Sequence, residues 1–181
     1  MKTNPSLTPF PSGKGQGRGR TPSNRHFPPP GPPPQGREGR KVAASVIHYL
    51  FVKRLSSSRL AELVVLYKAA GWWKRGDTPA LLRRIVAGSH CYMLAVESGR
   101  LVGMGRALSD RANDAYIQDV FVTPERRGRG IASALVRRLE RRLRSDGLRW
   151  VGLIAADRSR PFYEKLGFRR MKDADPMLKE R

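Results

Sequence analysis

Residues 116–143 constrain the architecture more than any other stretch of the chain. Tyr116 to Val122 is a short and mostly apolar run, the pattern of an interior strand. It passes through Pro124-Glu125-Arg126-Arg127-Gly128-Arg129-Gly130 into a long helix. That helix carries an apolar stripe of Ile131, Leu135, Leu139 and Leu143, with Ala132 and Val136 beside it. Arg137, Arg138, Arg141, Arg142 and Arg144 cover its other faces, and Gly147 marks its end.

Other elements follow from periodicity and from turn residues. Val46 to Val52 reads as a first strand. Leu60, Leu63, Val64 and Tyr67 form the inner face of a helix with serines ahead of it as caps. Thr78-Pro79 opens a second helix, with Gly88 at the place of a terminal glycine. Cys91–Glu97 and Leu101–Leu108 make a hairpin across Ser98-Gly99. Trp150–Ile154 is a further strand, Pro161–Leu166 a short helix closed by Gly167, and a last strand is expected from Phe168 onward. Hairpins combined with a βαβ connection imply an α/β (α+β) chain with a mixed central sheet flanked by helices.

Composition divides the chain near residue 40. Residues 1–40 hold ten of the 14 prolines, seven of the 18 glycines, seven Lys/Arg and one acid, Glu38. With so little to bury, residues 1–42 are expected to be a disordered basic Pro/Gly-rich tail and residues 43–181 the folded domain. About +15 of the formal charge of +21 belongs to the folded part, a field that favours anionic or phosphorylated ligands. A single cysteine, Cys91, excludes an internal disulfide framework and a Cys-based zinc site, and three scattered histidines make no metal cluster. No run of 18 apolar residues is present. The expected address is cytoplasmic, with organellar targeting by the tail left open.

A strand entering a helix through a glycine-rich turn is a site for phosphate oxygens. Free amides point outward there, the helix dipole favours negative charge, and glycine admits close approach. The turn lacks the Gly-Lys-Ser/Thr of a Walker A loop and the third glycine of a dinucleotide fingerprint.

Phe121-Val122-x-Pro124-x-x-Arg127-Gly128-x-Gly130-Ile131-Ala132-x-x-Leu135 resembles motif A of the GNAT superfamily of acetyl-CoA-dependent N-acetyltransferases. Pro161-Phe162-Tyr163-Glu164-Lys165-Leu166-Gly167-Phe168 is similar to that superfamily's motif B, and Gly99 to Gly103 fits the hairpin before motif A. The resemblance implies a GNAT fold, acetyl-CoA as co-substrate with no metal, and transfer of acetyl to a primary amine by direct attack. It places the cofactor pyrophosphate at Arg127, Gly128, Arg129, Gly130, Ile131 and Ala132, with Ser133 a candidate hydroxyl donor. It places the pantetheine arm along Phe121, Val122 and Thr123, and the acid that protonates the departing thiolate at Tyr163. The Asn that often precedes this tyrosine is absent, the segment reading Ala156-Asp157-Arg158-Ser159-Arg160, where Asp157 or Ser159 is a candidate helix cap.

Asp119 is an acid inside an apolar run, so it has either a partner or a role. It is a candidate general base, and equally a candidate salt bridge with an arginine. A backbone N–H near Val122 is a candidate oxyanion donor. Tyr163 has a second reading as a core aromatic. Trp72-Trp73 is either an acceptor-side aromatic wall or core packing with one ring partly exposed. Asp110 and Asp114 read as a solvated turn, and Cys91 as a small buried hydrophobe. The acceptor is a small-molecule or protein amine, no membrane partner is expected, nucleic acid would bind only non-specifically, and the protein is a monomer or homodimer. The alternative function is a non-catalytic basic module of the same fold that binds nucleic acid or ribosomes.

Overall fold

A computed structural model describes residues 45–156 and 159–179. The expected tail and the cap candidate Asp157 lie outside the described residues. The elements are β1 (Ile47–Val52), α1 (Ser57–Ala69), α2 (Pro79–Gly88), β2 (Cys91–Glu97), β3 (Arg100–Ser109), β4 (Asp114–Val122), a 3-10 turn at Pro124–Arg126, α3 (Ile131–Ser145), β5 (Trp150–Leu153) and α4 (Arg160–Glu164). The five strands lie in sequence order, β1 to β4 antiparallel and β5 parallel to β4 across α3. This is the mixed sheet that the sequence implies.

Alternation along β2 explains the layering. Cys91, Met93 and Ala95 face α3, while Tyr92, Leu94 and Val96 face α1 and α2. β2 is therefore covered on both sides and apolar almost throughout. On the α3 side Ile131, Leu135, Leu139 and Leu143 are at most 1% exposed. Each lies one helical turn from the next, so a single stripe meets β2, β3 and β4. On the other side Leu60, Leu63, Leu66 and Tyr67 of α1 pack with Leu82 and Val86 of α2 over the same strands. Cys91 is buried among apolar groups, which pushes its thiol up to about 11.

α1, α3 and α4 are closed in a common manner. The Ser56 hydroxyl accepts the Arg59 amide at the start of α1. At its end the Gly71 amide donates to Lys68 O and the Trp72 amide to Tyr67 O. The Gly147 and Leu148 amides repeat that pair of bonds at Arg144 O and Leu143 O after α3. Gly167 and Phe168 do so at Glu164 O and Tyr163 O after α4. Each is a Schellman closure with a left-handed glycine that folds the next side chain back on its helix.

Two expectations are corrected. Gly88 is the last residue of α2 with an ordinary φ, and Ser89 is the extended C-cap whose amide and hydroxyl both donate to Ile85 O. The described residues after Phe168 contain no strand, so the sheet ends at β5. Arg169-Arg170-Met171-Lys172-Asp173 has no apolar alternation to bury a face, and Asp173 turns left-handed at φ 53. Leu139 has no exposed surface, so Leu139→Ala is expected to cost about 2–5 kcal/mol in urea denaturation.

Candidate active site

The β3–β4 ladder slips between Met104 and Arg106, so β4 carries an extra residue there. That residue is Asp119, left-handed at φ 51. Below it Ala115 and Ile117 face α3; above it Val120 and Val122 do. The bulge has changed the parity, and Asp119 and Phe121 now share the face of α1. The acid is clamped: Arg106 Nε donates to its Oδ2 at 2.5 Å and the Tyr67 hydroxyl to the same oxygen at 2.7 Å. Arg106 Nη2 also donates to Gln118 Oε1 at 3.0 Å. The salt-bridge reading of Asp119 is therefore what the structure contains. Both donors use Oδ2, which leaves Oδ1 without a hydrogen bond among the described residues.

β5 follows β4 only from Asp114↔Trp150 to Ile117↔Leu153. Beyond that point the strands part, and among the described residues Gln118 to Val122 have no strand partner on the β5 side. The Thr123 amide donates to Val102 O on β3. Amide directions alternate along a strand, so the Val122 N–H is turned to the side where β5 has ended.

The loop beyond is exposed from Pro124 to Gly130. Gly128 and Gly130 are left-handed at φ 75 and 76, and a Cβ on either would meet nothing within 4 Å. Among the described residues the amides of Gly128 to Ser133 find no acceptor, as the first turn of a helix requires. Open space above two glycines, free amides and a helix N-terminus fit a pyrophosphate. The residues present thus suit the cofactor that the resemblance implies.

The arginine side chains of this loop are turned toward the protein. Arg129 Nη2 donates to Glu97 Oε1 at 2.7 Å, and Arg126 Nε pairs with Glu97 Oε2. Arg127 Nε donates to Val122 O at 3.2 Å, with its guanidinium 5.7 Å over the Phe121 ring. Glu97 is 3% exposed, and its carboxyl is lowered to about 2 chiefly by the Arg129 and Ser45 hydrogen bonds. Sequence reasoning passed over Glu97. The desolvation argument applied to Asp119 also fits this acid at the end of an apolar strand. Arg106 was missed because its pairing depends on cross-strand register.

Tyr163 lies in α4, half-buried, with its ring edge-on to Phe162 and Phe168. Burial raises its hydroxyl above the ordinary value, so the group stays protonated at neutral pH. The hydroxyl has no hydrogen-bond partner among the described residues, and the ring packs against the α3-side core. Trp72 is 39% exposed and stands edge-on to Tyr67 and Phe121, at centroid separations of 5.8 and 6.1 Å. Trp73 is partly buried against the α1-side core. This is core packing with one ring partly exposed, and the exposed ring also stands beside Phe121 of the site. Asp110 accepts the amides of Ala112, Asn113 and Asp114, which lowers its carboxyl and makes the expected turn. Ser159 precedes α4 without capping it through its side chain.

Residues 52–168 match the Acetyltransferase (GNAT) family. The chain belongs to that family. It is 48% identical over 118 residues to glucosamine 6-phosphate N-acetyltransferase of Trypanosoma brucei brucei, covering 64% of this chain and 71% of that protein. It is 41% identical over 124 residues to histone acetyltransferase TAP1 of Glycine max, covering 64% and 52%. The crystal structure of a Trypanosoma brucei acetyltransferase superposes with a TM-score of 0.60 at 26% identity, over 74% of this chain and all of that one. The chain spans 28% of a chloroplastic GCN5-related N-acetyltransferase of Arabidopsis thaliana, and 52% and 31% of two soybean relatives. The fold and family read from motifs A and B are those observed.

Glu97→Gln removes the charge that gathers Arg126 and Arg129, so acetyl-CoA should bind less tightly in a calorimetric titration. A depressed carboxyl stabilises the fold above its ordinary value of 4.5, and this contribution is lost as the pH falls through about 2. The stability gap between wild type and variant, followed by urea denaturation, should close over that interval.

Proposed function

We propose that this protein is an N-acetyltransferase that moves the acetyl group of acetyl-CoA directly to a primary amine. The observation that carries the reading is the parting of β4 from β5 beside the free amides of Gly128 to Ser133. When bound, acetyl-CoA supplies an acyl thioester. Arg127, Gly128, Arg129, Gly130, Ile131, Ala132 and Ser133 would hold its pyrophosphate, chiefly through amides, because Arg126 and Arg129 are already paired to Glu97. Phe121, Val122 and Thr123 would line the pantetheine arm at the unpaired edge of β4.

Three chemical tasks then fall to this chain. The Val122 N–H stabilises negative charge on the carbonyl oxygen under attack. Asp119 Oδ1, the oxygen left unused by Arg106 and Tyr67, accepts the proton that the amine must lose. The Tyr163 hydroxyl gives its proton to the departing thiolate as the C–S bond breaks, and recovers one from solvent. Cys91 is buried and takes no part.

The Asp119 carboxylate, held by Tyr67 and on the same face as Phe121 with Trp72 edge-on to both rings, suits a compact amine with an apolar flank. A polycationic acceptor is disfavoured by the charge of about +15 on residues 41–181. The chloroplastic relatives support an organellar address over a cytoplasmic one.

Calorimetric titration of acetyl-CoA into the protein tests the cofactor site. Micromolar binding that disappears in Gly130→Trp is expected, and no binding by the wild type refutes the proposal. With an amine found by thiol release, Tyr163→Phe is expected to lower kcat by about 10²-fold with KM for acetyl-CoA little changed. Asp119→Asn should lower kcat/KM for the amine by about 10²-fold or more. A kcat unaffected by Tyr163→Phe would remove that residue from the chemistry.

A further inference from the structure

A concavity lies away from the loop, between β1 and the C-terminal half of α3. Tyr49 and Phe51 of β1 form one wall, Arg138, Arg141, Arg142 and Ser145 of α3 the other, and Met93 closes the floor. The Arg138 guanidinium lies 4.6 Å from the centre of the Tyr49 ring, and that of Arg142 lies 5.5 Å from Phe51. Phe51 remains 43% exposed although it sits in a strand. Arg138 is eight residues beyond Gly130, about 12 Å along the helix. The groove is therefore separate from the pyrophosphate cradle.

Most of the charge here is uncompensated among the described residues. Among the described residues Arg137, Arg138 and Arg141 have no carboxylate within 4.0 Å, whereas Arg142 is held by Asp146 at 2.7 Å. Arg137 and Arg141, and likewise Arg138 and Arg142, are like charges one turn apart, an arrangement that weakens a helix. Solubility alone would be served by mixed signs. A second copy of the chain would bring two arginine faces together. An acidic peptide would meet the charge and leave the rings unused. A duplex is too wide to enter between one helix and an edge strand, and would touch only the rim.

We propose that this groove binds single-stranded nucleic acid without strict sequence preference. Arg138 and Arg141 take backbone phosphates, and bases stack on the exposed Phe51 ring. The inference does not depend on acetyl transfer.

The test uses the full chain and fluorescein-labelled oligouridylate, read by anisotropy over a range of salt. A duplex of equal length and vesicles of anionic phospholipid are the comparisons. The single strand should bind tightest, and the double variant Arg138→Glu/Arg141→Glu should weaken it by about tenfold or more and lower the salt slope by about 1–2. Phe51→Leu, which keeps an apolar side chain, should cost about fivefold or more for the single strand. Acetyl-CoA titration should be unchanged in each variant, which shows that they fold. Equal or tighter binding to duplex or vesicles overturns the proposal. So does wild-type affinity in the double variant, which would assign binding to the basic residues before Lys41, and so does an absence of binding at low salt.

Discussion

The clamp on Asp119 is the contact on which the site depends. A non-glycine residue at positive φ inside a strand is costly and persists only when its surroundings hold it. Here Arg106 and Tyr67, from β3 and α1, fix one carboxylate oxygen. The bulge they hold turns Phe121 toward α1 and Val122 toward α3. Without the extra residue the parity would be reversed, the Val122 amide would point at β3, and the parting from β5 would expose different groups. One polar cluster thus sets the direction of the backbone groups at the unpaired edge.

A second constraint acts on the loop. Arg126, Arg127 and Arg129 lie within four residues and repel one another, yet they bracket two glycines that must keep a defined shape. Glu97 takes two of them and Val122 O the third. The buried acid would be unfavourable alone and is stabilised by the guanidiniums it gathers. The arrangement leaves the amides facing outward and uses charge to hold their geometry, so an anion at this turn would meet backbone donors as much as side chains.

Most of the element order was legible in the sequence, because helix stripes, paired turn residues and the strand–glycine–helix passage are local signals. Motifs A and B were legible for the same reason, each being a continuous run. The structure joined Asp119 to Arg106, a pairing that depends on a ladder slip with no local signature. Glu97 and its two arginines are 29 and 32 residues apart in sequence and meet only through the hairpin. The final strand was expected from a single aromatic, Phe168, which instead packs edge-on against Tyr163. Residue type alone does not distinguish a ring in a strand from one folded back over a helix end.

That last placement has a wider effect. Trp72 and Phe168, beside the rings of Tyr67 and Tyr163 respectively, are both set by the closing turn of a helix. Helix ends are the parts of a fold that open most readily in the native state, well below the free energy of global unfolding. The rings beside Tyr67 and Tyr163 are therefore fastened to the least persistent turns of α1 and α4, while the sheet beneath is held by the core. Warming would loosen these aromatic rims, and the exposed turn ahead of α3, while the sheet beneath stays ordered.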